Sequence, residues 1–413
     1  MSCAFEQVLF VQFANSMFLR HSENDKYWDS FYECHHDIGY YMGKYVFEPP
    51  KWIAEICYFL TPNINRELLW VVNSISEAIE KINSSQYDVV FFSLMNCNQM
   101  FIAEIVNACP SQKFIIGGYN DKFLKYLGDT YENVTIADTI RDCANALGLK
   151  YSYGTDYTLF LGDYVVPRLT LSSGCLNNCK FCIVPHGKII EYPFEKSVQQ
   201  IHSFNSLNYR LIYVDDKTFG QADNHTTIKE LGKIINDMYP QKGFNGFVVQ
   251  TTSGMVVKKG SEFADIGVKV AEIGMETYND PILRKYNKPS SCKLAEMAIE
   301  EGNKNGIKMI ANVIVGIPEE DNETYQRTFD FVMPKLESGE LIGLNFSIYT
   351  DYSSEFNLGE IDFAETDKKE LHKTWWDKFN KAATEIMDNK ITENKNLKNY
   401  GKQNQLVEPC FCH

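Results

Sequence analysis

Short apolar runs alternate with longer amphipathic segments along most of this 413-residue chain. The first part of the pattern contains the runs QVLFVQF (7–13), YDVVFFSL (87–94) and KFIIGG (113–118). Segments with helical periodicity lie between them, such as SISEAIEKINSS and NQMFIAEIVNACP. Apolar strands that alternate with amphipathic helices are typical of parallel sheets with helices on both faces. We therefore predict an α/β fold that begins with a doubly wound, Rossmann-like domain over residues 1–148.

The same alternation begins again after a Tyr- and Gly-rich connector, residues 149–166. Its first strand lies in PRLTLSSG, and the further candidate strands are residues 209–216, 244–252, 268–276, 307–316 and 340–349. Six such strand–helix units predict a partial (β/α)6 TIM-like barrel over residues 167–355, and residues 356–413 are predicted to form a small helical C-terminal region. In such barrels the chemistry lies at the carboxyl ends of the strands.

Composition narrows the range of functions. The formal net charge is −14, which disfavours a nucleic-acid partner because phosphate binding needs a clustered basic surface. No apolar run approaches the length that crosses a bilayer, and the N-terminal residues lack a charged leader region, so we expect a cytoplasmic protein without a membrane partner. Twelve cysteines in such a chain are expected to be mainly reduced, and a tight group of them indicates metal.

Such a group occurs in SSGCLNNCKFCIVPHG, which contains Cys175, Cys179 and Cys182 immediately after the first barrel strand. Iron–sulfur clusters are held by cysteine thiolates, and a cubane has four irons. Three cysteines on one loop therefore leave one iron open to another ligand. A structural zinc site is the alternative, because His186 follows at a spacing that suits Cys3His coordination. A non-catalytic, zinc-stabilised α/β binding protein thus stays open at this point.

The spacing C-x3-C-x-aromatic-C resembles the signature of the radical S-adenosylmethionine (SAM) superfamily. The resemblance implies that Cys175, Cys179 and Cys182 hold a [4Fe-4S] cluster and that the open iron binds SAM. It also implies that one electron cleaves SAM to methionine and a 5′-deoxyadenosyl radical, which abstracts hydrogen from an unactivated carbon. Phe181 would lie near the adenine.

Three later segments carry similar motifs. EIGMETYND resembles the fourth-strand pattern, in which Glu276 would point at the ribose or amino group of SAM. ANVIVGIPEED resembles the fifth-strand pattern, and LNFSIYTDY the sixth. The cofactor-binding residues that these two motifs imply are Asn312, Val315, Gly316, Ile317, Pro318 and Tyr349.

IYVDDKTFG ends the second barrel strand with Asp215 and Asp216. Many members of the family have an acidic pair followed by an aromatic residue there, so the resemblance assigns both carboxylates a catalytic role close to substrate or SAM. The match departs from the commoner Gly-Gly-Glu form. Adjacent residues of a strand point to opposite faces, so at most one of the two is expected to face the barrel interior.

The first domain resembles the cobalamin-binding domain of one subgroup of the family. Its Gly117 and Gly118 occupy the position of a Gly-Gly pair that lies against the nucleotide tail of cobalamin, which glycine permits because it lacks Cβ. This implies cobalamin as a further cofactor and methyl transfer as the outcome. The Asp-x-His-x-x-Gly motif of some cobalamin proteins is missing, so a cofactor-free domain is the alternative.

Methylthiotransferases are the second resemblance, because they share the phrase CIVP after the cluster. They carry a second cluster on three N-terminal cysteines, and the cysteines available here are Cys34, Cys57, Cys97, Cys109 and Cys143. The terminal Cys410 and Cys412 could ligate an auxiliary cluster, with a tail of incidental thiols as the alternative. The radical SAM resemblance also implies an electron donor such as flavodoxin or ferredoxin. Peptides, nucleosides and small metabolites all stay open as substrates.

Overall fold

The structure is a computed structural model that describes residues 5–14, 17, 22–40, 48–60, 63–95, 97–118, 121–182, 184, 186–350, 363 and 366–404. The predicted α/β class is confirmed, with a doubly wound sheet followed by a partial barrel and a helical C-terminal region.

The first sheet has five parallel strands in the order β2-β1-β3-β4-β5. Its strands are β1 (Gln7–Phe13), β2 (Asn65–Val71), β3 (Val89–Leu94), β4 (Phe114–Gly118) and β5 (Val134–Ile136). Its helices are α1 (Ser22–His35), α2 (Lys51–Phe59), α3 (Ser76–Ser84), α4 (Gln99–Ala108), α5 (Asp121–Thr130) and α6 (Ile140–Ala146). This strand order is that of a doubly wound, flavodoxin-like sheet.

Alternate residues of the central strand β1 point into two different cores. Leu9 and Val11 pack with helices α3 to α5 on one face of the sheet. Val8 and Phe10 point to the other face, into a core that continues without interruption into the second half of the chain. Because successive side chains of a strand face opposite sides, the unbroken apolar sequence of β1 serves both cores.

The second sheet has six parallel strands in the order β13-β12-β11-β10-β9-β6. The strands are β6 (Arg168–Leu169), β9 (Leu211–Val214), β10 (Gly246–Thr251), β11 (Val268–Glu276), β12 (Lys308–Val315) and β13 (Gly343–Ile348). The helices are α7 (Phe194–Ser203), α8 (His225–Met238), α9 (Ser253–Asp265), α10 (Asp280–Lys285), α11 (Cys292–Lys304), α12 (Asn322–Ser338) and α13 (Lys369–Asn404). The two edge strands are β6 and β13. In the part of the chain that the structure describes they do not pair with each other, so the barrel is open.

An antiparallel hairpin that the sequence did not predict interrupts the first strand–helix unit. It consists of β7 (Ser172–Cys175) and β8 (Lys188–Glu191). The cysteine loop connects the two strands and is therefore held at both ends. Gly174 has φ +88°, and a Cβ atom there would collide with the carbonyl of Lys188, so this position requires glycine.

Helix α1 leaves the first domain and covers the open edge of the barrel at β13. The amide of Leu344 donates to Tyr27 Oη at 2.7 Å, and His35 Nε2 lies 2.7 Å from the carbonyl oxygen of Ile342. Phe31 fills the space above Gly343, where a Cβ atom would collide with its ring. Backbone groups at the edge of β13 thus find hydrogen-bond partners in the N-terminal half of the chain. Helical periodicity alone does not reveal which sheet a helix covers, so this arrangement was not predicted.

Helix α13 packs along α1 and against α12. Trp375 and Trp376 are both buried, and the Trp376 ring packs edge-on against Phe346 of β13. As far as the chain is described, it contains no helix of the length and apolar character needed to span a bilayer.

A partly buried carboxyl group lies inside the barrel. The Tyr213 hydroxyl donates to Glu272 Oε2 at 2.9 Å, and the Arg168 guanidinium stacks over the Tyr213 ring at 4.4 Å. Arg168 in turn is paired with Glu48 of the N-terminal half and with Asp215 at 2.8 Å. Burial, the largest cause, raises the pKa of Glu272 to about 7.

Glu272→Gln is therefore expected to stabilise the protein at pH 8 and to leave its stability at pH 5 nearly unchanged. The folded carboxyl holds its proton up to about pH 7, whereas the unfolded one releases it near its ordinary value of 4.5. Wild-type stability therefore falls as pH rises through this window, because the folded state binds the extra proton. The amide keeps the Tyr213 hydrogen bond and cannot ionise. We expect a gain of about 2 kcal/mol at pH 8 in urea unfolding. An equal effect at both pH values would contradict this assignment.

Candidate active site

A cavity of ≈ 350 Å³ lies at the carboxyl ends of the barrel strands. The residues that line it are Cys175, Asn177, Cys179, Phe181, Cys182, Val184, His186, Lys217, Thr218, Gln250, Thr251, Thr252, Gly274, Glu276, Lys288, Asn312, Ile314, Asn345, Ser347, Ile348, Tyr349 and Thr350. This is the position where barrels of this kind carry their chemistry.

All three cysteines of the loop face this cavity as free thiols. The Cys175 sulfur lies 3.3 Å from Thr218 Oγ1, and the Cys182 amide donates to the carbonyl of Cys179 at 3.1 Å. The Lys180 amide donates to the carbonyl of Tyr286 at 3.0 Å, which fixes the loop to the turn after α10. Three free thiols on one closed loop fit a cubane cluster with one open iron.

Burial raises the pKa of the Cys179 thiol to about 11, although Lys288 opposes that rise. Metal binding deprotonates such a thiol. A site for one metal ion such as zinc needs all of its ligands around the same atom, unlike a cubane cluster with several irons. Within the described ranges, no three His, Cys, Asp or Glu side chains come close enough together to hold one metal ion. His186 pairs with Cys175 through the backbone and lines the cavity, but the tetrahedral Cys3His group of the zinc alternative is not formed there.

Glu276 and Lys288 form a buried ion pair in the cavity wall, and each side chain is only 9% exposed. Burial alone would lower the pKa of Lys288, but the Glu276 carboxylate and the nearby cysteines outweigh it and raise that pKa. The Glu276 backbone has φ +66°, a conformation that costs a non-glycine residue free energy and is typical of functional sites. The strain turns the carboxylate at the end of β11 into the cavity.

One side of the cavity is an aromatic and aliphatic wall. Phe181 lies 6.0 Å from Tyr286, and Tyr286 lies edge-on to Tyr349 at 5.8 Å, measured between ring centroids. Ile314 and Ile317 complete this cluster. The Lys288 ammonium lies 5.8 Å from the Phe181 ring centroid. An apolar, largely aromatic wall with a polar group at its edge suits an aromatic heterocycle such as adenine.

The barrel floor presents several polar side chains to the cavity. Asn312 and Asn345 are register partners on β12 and β13, and both face the cavity. The Oδ1 atom of Asn312 is buried without a hydrogen-bond partner. Gln250 and Ser347 also line the cavity. Buried polar atoms in native proteins are nearly always paired, so an orphan here indicates a ligand atom at this point.

The segment Val315, Gly316, Ile317 and Pro318 lies behind the cavity wall rather than in it. Ile317 packs against the wall, and the Gly316 amide donates to Tyr325 Oη at 2.8 Å. Direct contact of these four residues with a cofactor stays a prediction. Of the predicted cofactor-binding residues in the barrel, the structure brings Phe181, Glu276, Asn312 and Tyr349 together around one cavity.

Neither Asp215 nor Asp216 lines the cavity. Asp216 Oδ1 accepts the amides of Leu171 and Ser172 at 3.1 and 2.8 Å, and Oδ2 accepts Asn224 Nδ2 at 2.8 Å. Burial raises the pKa of Asp216 against these hydrogen bonds. The residue therefore anchors the backbone that leads into the cysteine loop.

Asp215 accepts Lys217 Nζ at 3.1 Å and Arg168 Nη1 at 2.8 Å. Lys217 lines the cavity, so Asp215 reaches the site through it. A catalytic role for either carboxylate stays a prediction.

Gly117 and Gly118 are required by the packing of the first sheet. A Cβ atom on Gly118 would collide with the carbonyl of Leu94, and one on Gly117 would collide with the carbonyl of Ala137. Contact with cobalamin at these glycines stays a prediction. Cys410 and Cys412 lie outside the described residues.

Several cavity residues were not predicted from the sequence, among them Lys288, Gln250, Asn345 and Ser347. Three of them carried a recognisable signal. Asn345 and Ser347 are polar residues at alternate positions of the apolar strand LNFSI, and Gln250 interrupts FVVQT in the same way. Such residues point together to the interior of a barrel. Lys288 carried no such signal, because its ion pair with Glu276 depends on how the chain turns after β11.

Comparison with known proteins agrees with this site. Residues 169–332 match the profile of the family described as "Radical SAM superfamily". This range contains the cysteine loop and four of the strands whose ends form the cavity.

Curated relatives that match the chain include methylthiotransferases. The probable threonylcarbamoyladenosine tRNA methylthiotransferase of Methanocaldococcus jannaschii is 24% identical over 209 residues, which is 45% of this chain and 46% of that protein. The tRNA-2-methylthio-N(6)-dimethylallyladenosine synthase of Campylobacter concisus is 21% identical over 341 residues, 70% of each chain. The chain thus spans less than half the length of the first of these relatives.

Solved structures share the fold over both domains. OxsB, a cobalamin-dependent SAM radical enzyme, matches 94% of this chain and 56% of its own, with a TM-score of 0.54 and 13% identity. The radical SAM methyltransferase TsrM of Kitasatospora setae matches 83% of this chain and 72% of its own, with a TM-score of 0.50 and 12% identity. Residues 169–332 thus match the Radical SAM superfamily, and the two-domain fold of the chain resembles that of OxsB and TsrM.

Proposed function

We propose that this chain is a cytoplasmic radical SAM methyltransferase that uses cobalamin and acts on an unactivated carbon of its substrate. The observation that carries the proposal is the combination of two features in one chain. The barrel presents three free cysteines and an orphaned Asn312 oxygen to one cavity. The domain before it has a doubly wound strand order, and the likeness of fold to OxsB and TsrM extends over most of the chain.

Cys175, Cys179 and Cys182 would hold the [4Fe-4S] cluster. With SAM bound, the cluster supplies the electron that cleaves SAM to methionine and a 5′-deoxyadenosyl radical. The protein's residues bind and orient SAM. The wall of Phe181 and Tyr349 would cover adenine and exclude water, while the amide of Asn312 would satisfy a polar atom of SAM.

Glu276 would accept a hydrogen bond from the ribose or amino group of SAM. Its partner Lys288 places a positive charge beside this carboxylate in the cavity wall. The left-handed backbone at Glu276 supports this role, because it aims the carboxylate before any ligand binds.

The cobalamin part of the proposal rests on the likeness of fold. The loops after β1, β3 and β4 include residues outside the described ranges, and Gly117 and Gly118 are explained by strand packing. We therefore derive no step of the reaction from cobalamin. An electron donor such as flavodoxin or ferredoxin is part of the proposal.

Reconstitution with iron and sulfide, with and without hydroxocobalamin, tests the proposal. The expected result is reductive cleavage of SAM to 5′-deoxyadenosine by wild-type protein, and about one cobalt per chain after gel filtration. Retention of iron and SAM cleavage without cobalt would reject the cobalamin part alone. Failure to cleave SAM with a full complement of iron would reject the enzymatic function.

A methylthiotransferase-like activity is the second candidate, because the curated relatives that match the chain carry this function. Some of those relatives modify tRNA, which would make nucleic acid a partner despite the net charge of −14. The N-terminal thiols argue against it. Cys57 and Cys143 are buried in the apolar core, and burial raises the pKa of both thiols to about 12. About eight irons per chain, rather than about four, would favour this candidate.

A further inference from the structure

The loop that follows β12 is held from outside the barrel by helices α12 and α13. The amide of Gly316 donates to Tyr325 Oη at 2.8 Å. The same hydroxyl lies 2.8 Å from Nδ1 of His372, which is buried near the start of α13. A backbone amide, a phenol and an imidazole thus form one buried chain of hydrogen bonds.

The three groups can form one directed chain of hydrogen bonds. The Gly316 N–H can only donate, so Tyr325 Oη accepts from it, and the proton of the hydroxyl is available for His372 Nδ1. In this arrangement the imidazole is neutral and carries its proton on Nε2. Burial, the largest cause, lowers the pKa of His372, in agreement with a neutral ring.

A second contact ties the same loop to the same helix. Lys368 Nζ donates to the carbonyl oxygens of Pro318 and Glu320 at 2.8 and 2.9 Å. The residues after Gly316 are therefore attached to the beginning of α13 at two further points. Because all of these partners lie outside the cavity, they can act on a ligand only through the loop.

Packing leaves the Tyr325 ring little freedom. It stacks on Trp375 at 5.4 Å with an interplanar angle of 27°, and the His372 ring lies edge-on to it at 5.9 Å. Gly316 has φ +102°, and a Cβ atom there would press on the Phe363 ring. The loop is thus fixed in a conformation that only glycine adopts readily.

The loop in turn supports the cavity wall. Ile317, directly after Gly316, packs with Tyr286 and Ile282 in the cluster to which Phe181 and Tyr349 belong. A shift of the Gly316 peptide would move Ile317 and with it the two rings that line the cavity. The hydroxyl of Tyr325 therefore determines the position of a wall that it does not touch.

We propose that Tyr325 and His372 are positioning residues for SAM, which hold the Gly316–Ile317 loop in the conformation that binds it. This inference rests on the proposed function of the cavity as the SAM site. Neither residue touches the ligand, so their removal should weaken SAM binding while the cluster stays in place.

Four variants of the reconstituted full chain test the proposal: Tyr325→Phe, His372→Leu, His372→Asn and Tyr27→Phe. The measurements are iron content, SAM affinity by equilibrium dialysis, and hydrogen exchange of the Gly316 amide. Tyr27→Phe is the matched control, because its hydroxyl also accepts a barrel amide, that of Leu344 at 2.7 Å. Asparagine at position 372 can still offer an acceptor close to the position of Nδ1.

We expect Tyr325→Phe and His372→Leu to weaken SAM binding about tenfold and to expose the Gly316 amide to exchange, with unchanged iron. His372→Asn should restore most of the affinity, and Tyr27→Phe should lower the melting temperature without affecting SAM. Equal losses of affinity in Tyr325→Phe and Tyr27→Phe, or none in either, would overturn the proposal. If wild-type protein with full iron does not bind SAM, the proposed function fails instead, whatever the exchange of Gly316 shows.

Discussion

Cys179→Ala is expected to abolish the iron–sulfur cluster and, with it, all cleavage of SAM. Cys179 is the middle cysteine of the loop in sequence, and its side chain is buried in the cavity wall. Removing one of three ligands leaves two irons of a cubane without protein thiolates, and a cluster held by two cysteines is not retained. Iron per chain should fall from about four to near zero after anaerobic gel filtration, together with the brown absorbance.

Cys292→Ala is the matched control, because Cys292 is a free, partly exposed cysteine at the start of α11 and does not line the cavity. Its iron content should equal that of wild type. Retention of full iron by Cys179→Ala would contradict the assignment of this loop. Loss of iron in both variants would point to a general effect of thiol removal on reconstitution.

Lys288→Met is expected to destabilise the protein by about 3 kcal/mol, since it leaves the Glu276 carboxylate buried without a counter-charge. Both side chains of the pair are only 9% exposed, so water replaces the lost partner poorly. Chemical unfolding followed by circular dichroism measures the difference. SAM affinity should fall as well, because Glu276 loses the partner that holds its carboxylate in the cavity wall.

Two further variants separate charge from packing. Lys285→Met removes a lysine three residues earlier that is 60% exposed and pairs with Glu319, and it should change the free energy of unfolding by less than about 0.5 kcal/mol. Glu276→Gln combined with Lys288→Met should recover most of the stability but not the SAM affinity. A single Lys288→Met variant as stable as Lys285→Met would show that the pair is not buried in solution.

Most strands of both sheets could be predicted from the sequence, because runs such as VVFFSL and KMIANVIV are apolar enough to be buried on both faces. The cysteine loop and the side chains of Phe181, Glu276 and Asn312 were found through motifs, and the structure brings them to one cavity. These signals are local, so a single sequence contains them.

What the sequence could not reveal depends on distant partners. The α1 helix covers the edge of β13 through Tyr27 and Phe31, which lie more than 300 residues before their partners Leu344 and Gly343. Lys288 gains its role only because Glu276 adopts a left-handed backbone. The roles of Tyr325 and His372 could not be predicted either, because they arise from hydrogen bonds that connect α12 and α13 to the amide of Gly316.

The most direct test of the central claim is metal analysis of the anaerobically reconstituted chain combined with electron paramagnetic resonance of its reduced form. We expect about four irons per chain, no stoichiometric zinc, and a cluster signal that changes when SAM is added, because SAM would bind the iron that Cys175, Cys179 and Cys182 leave open. One zinc per chain without iron would contradict the assignment of a radical SAM site and leave the cysteine loop as a structural site.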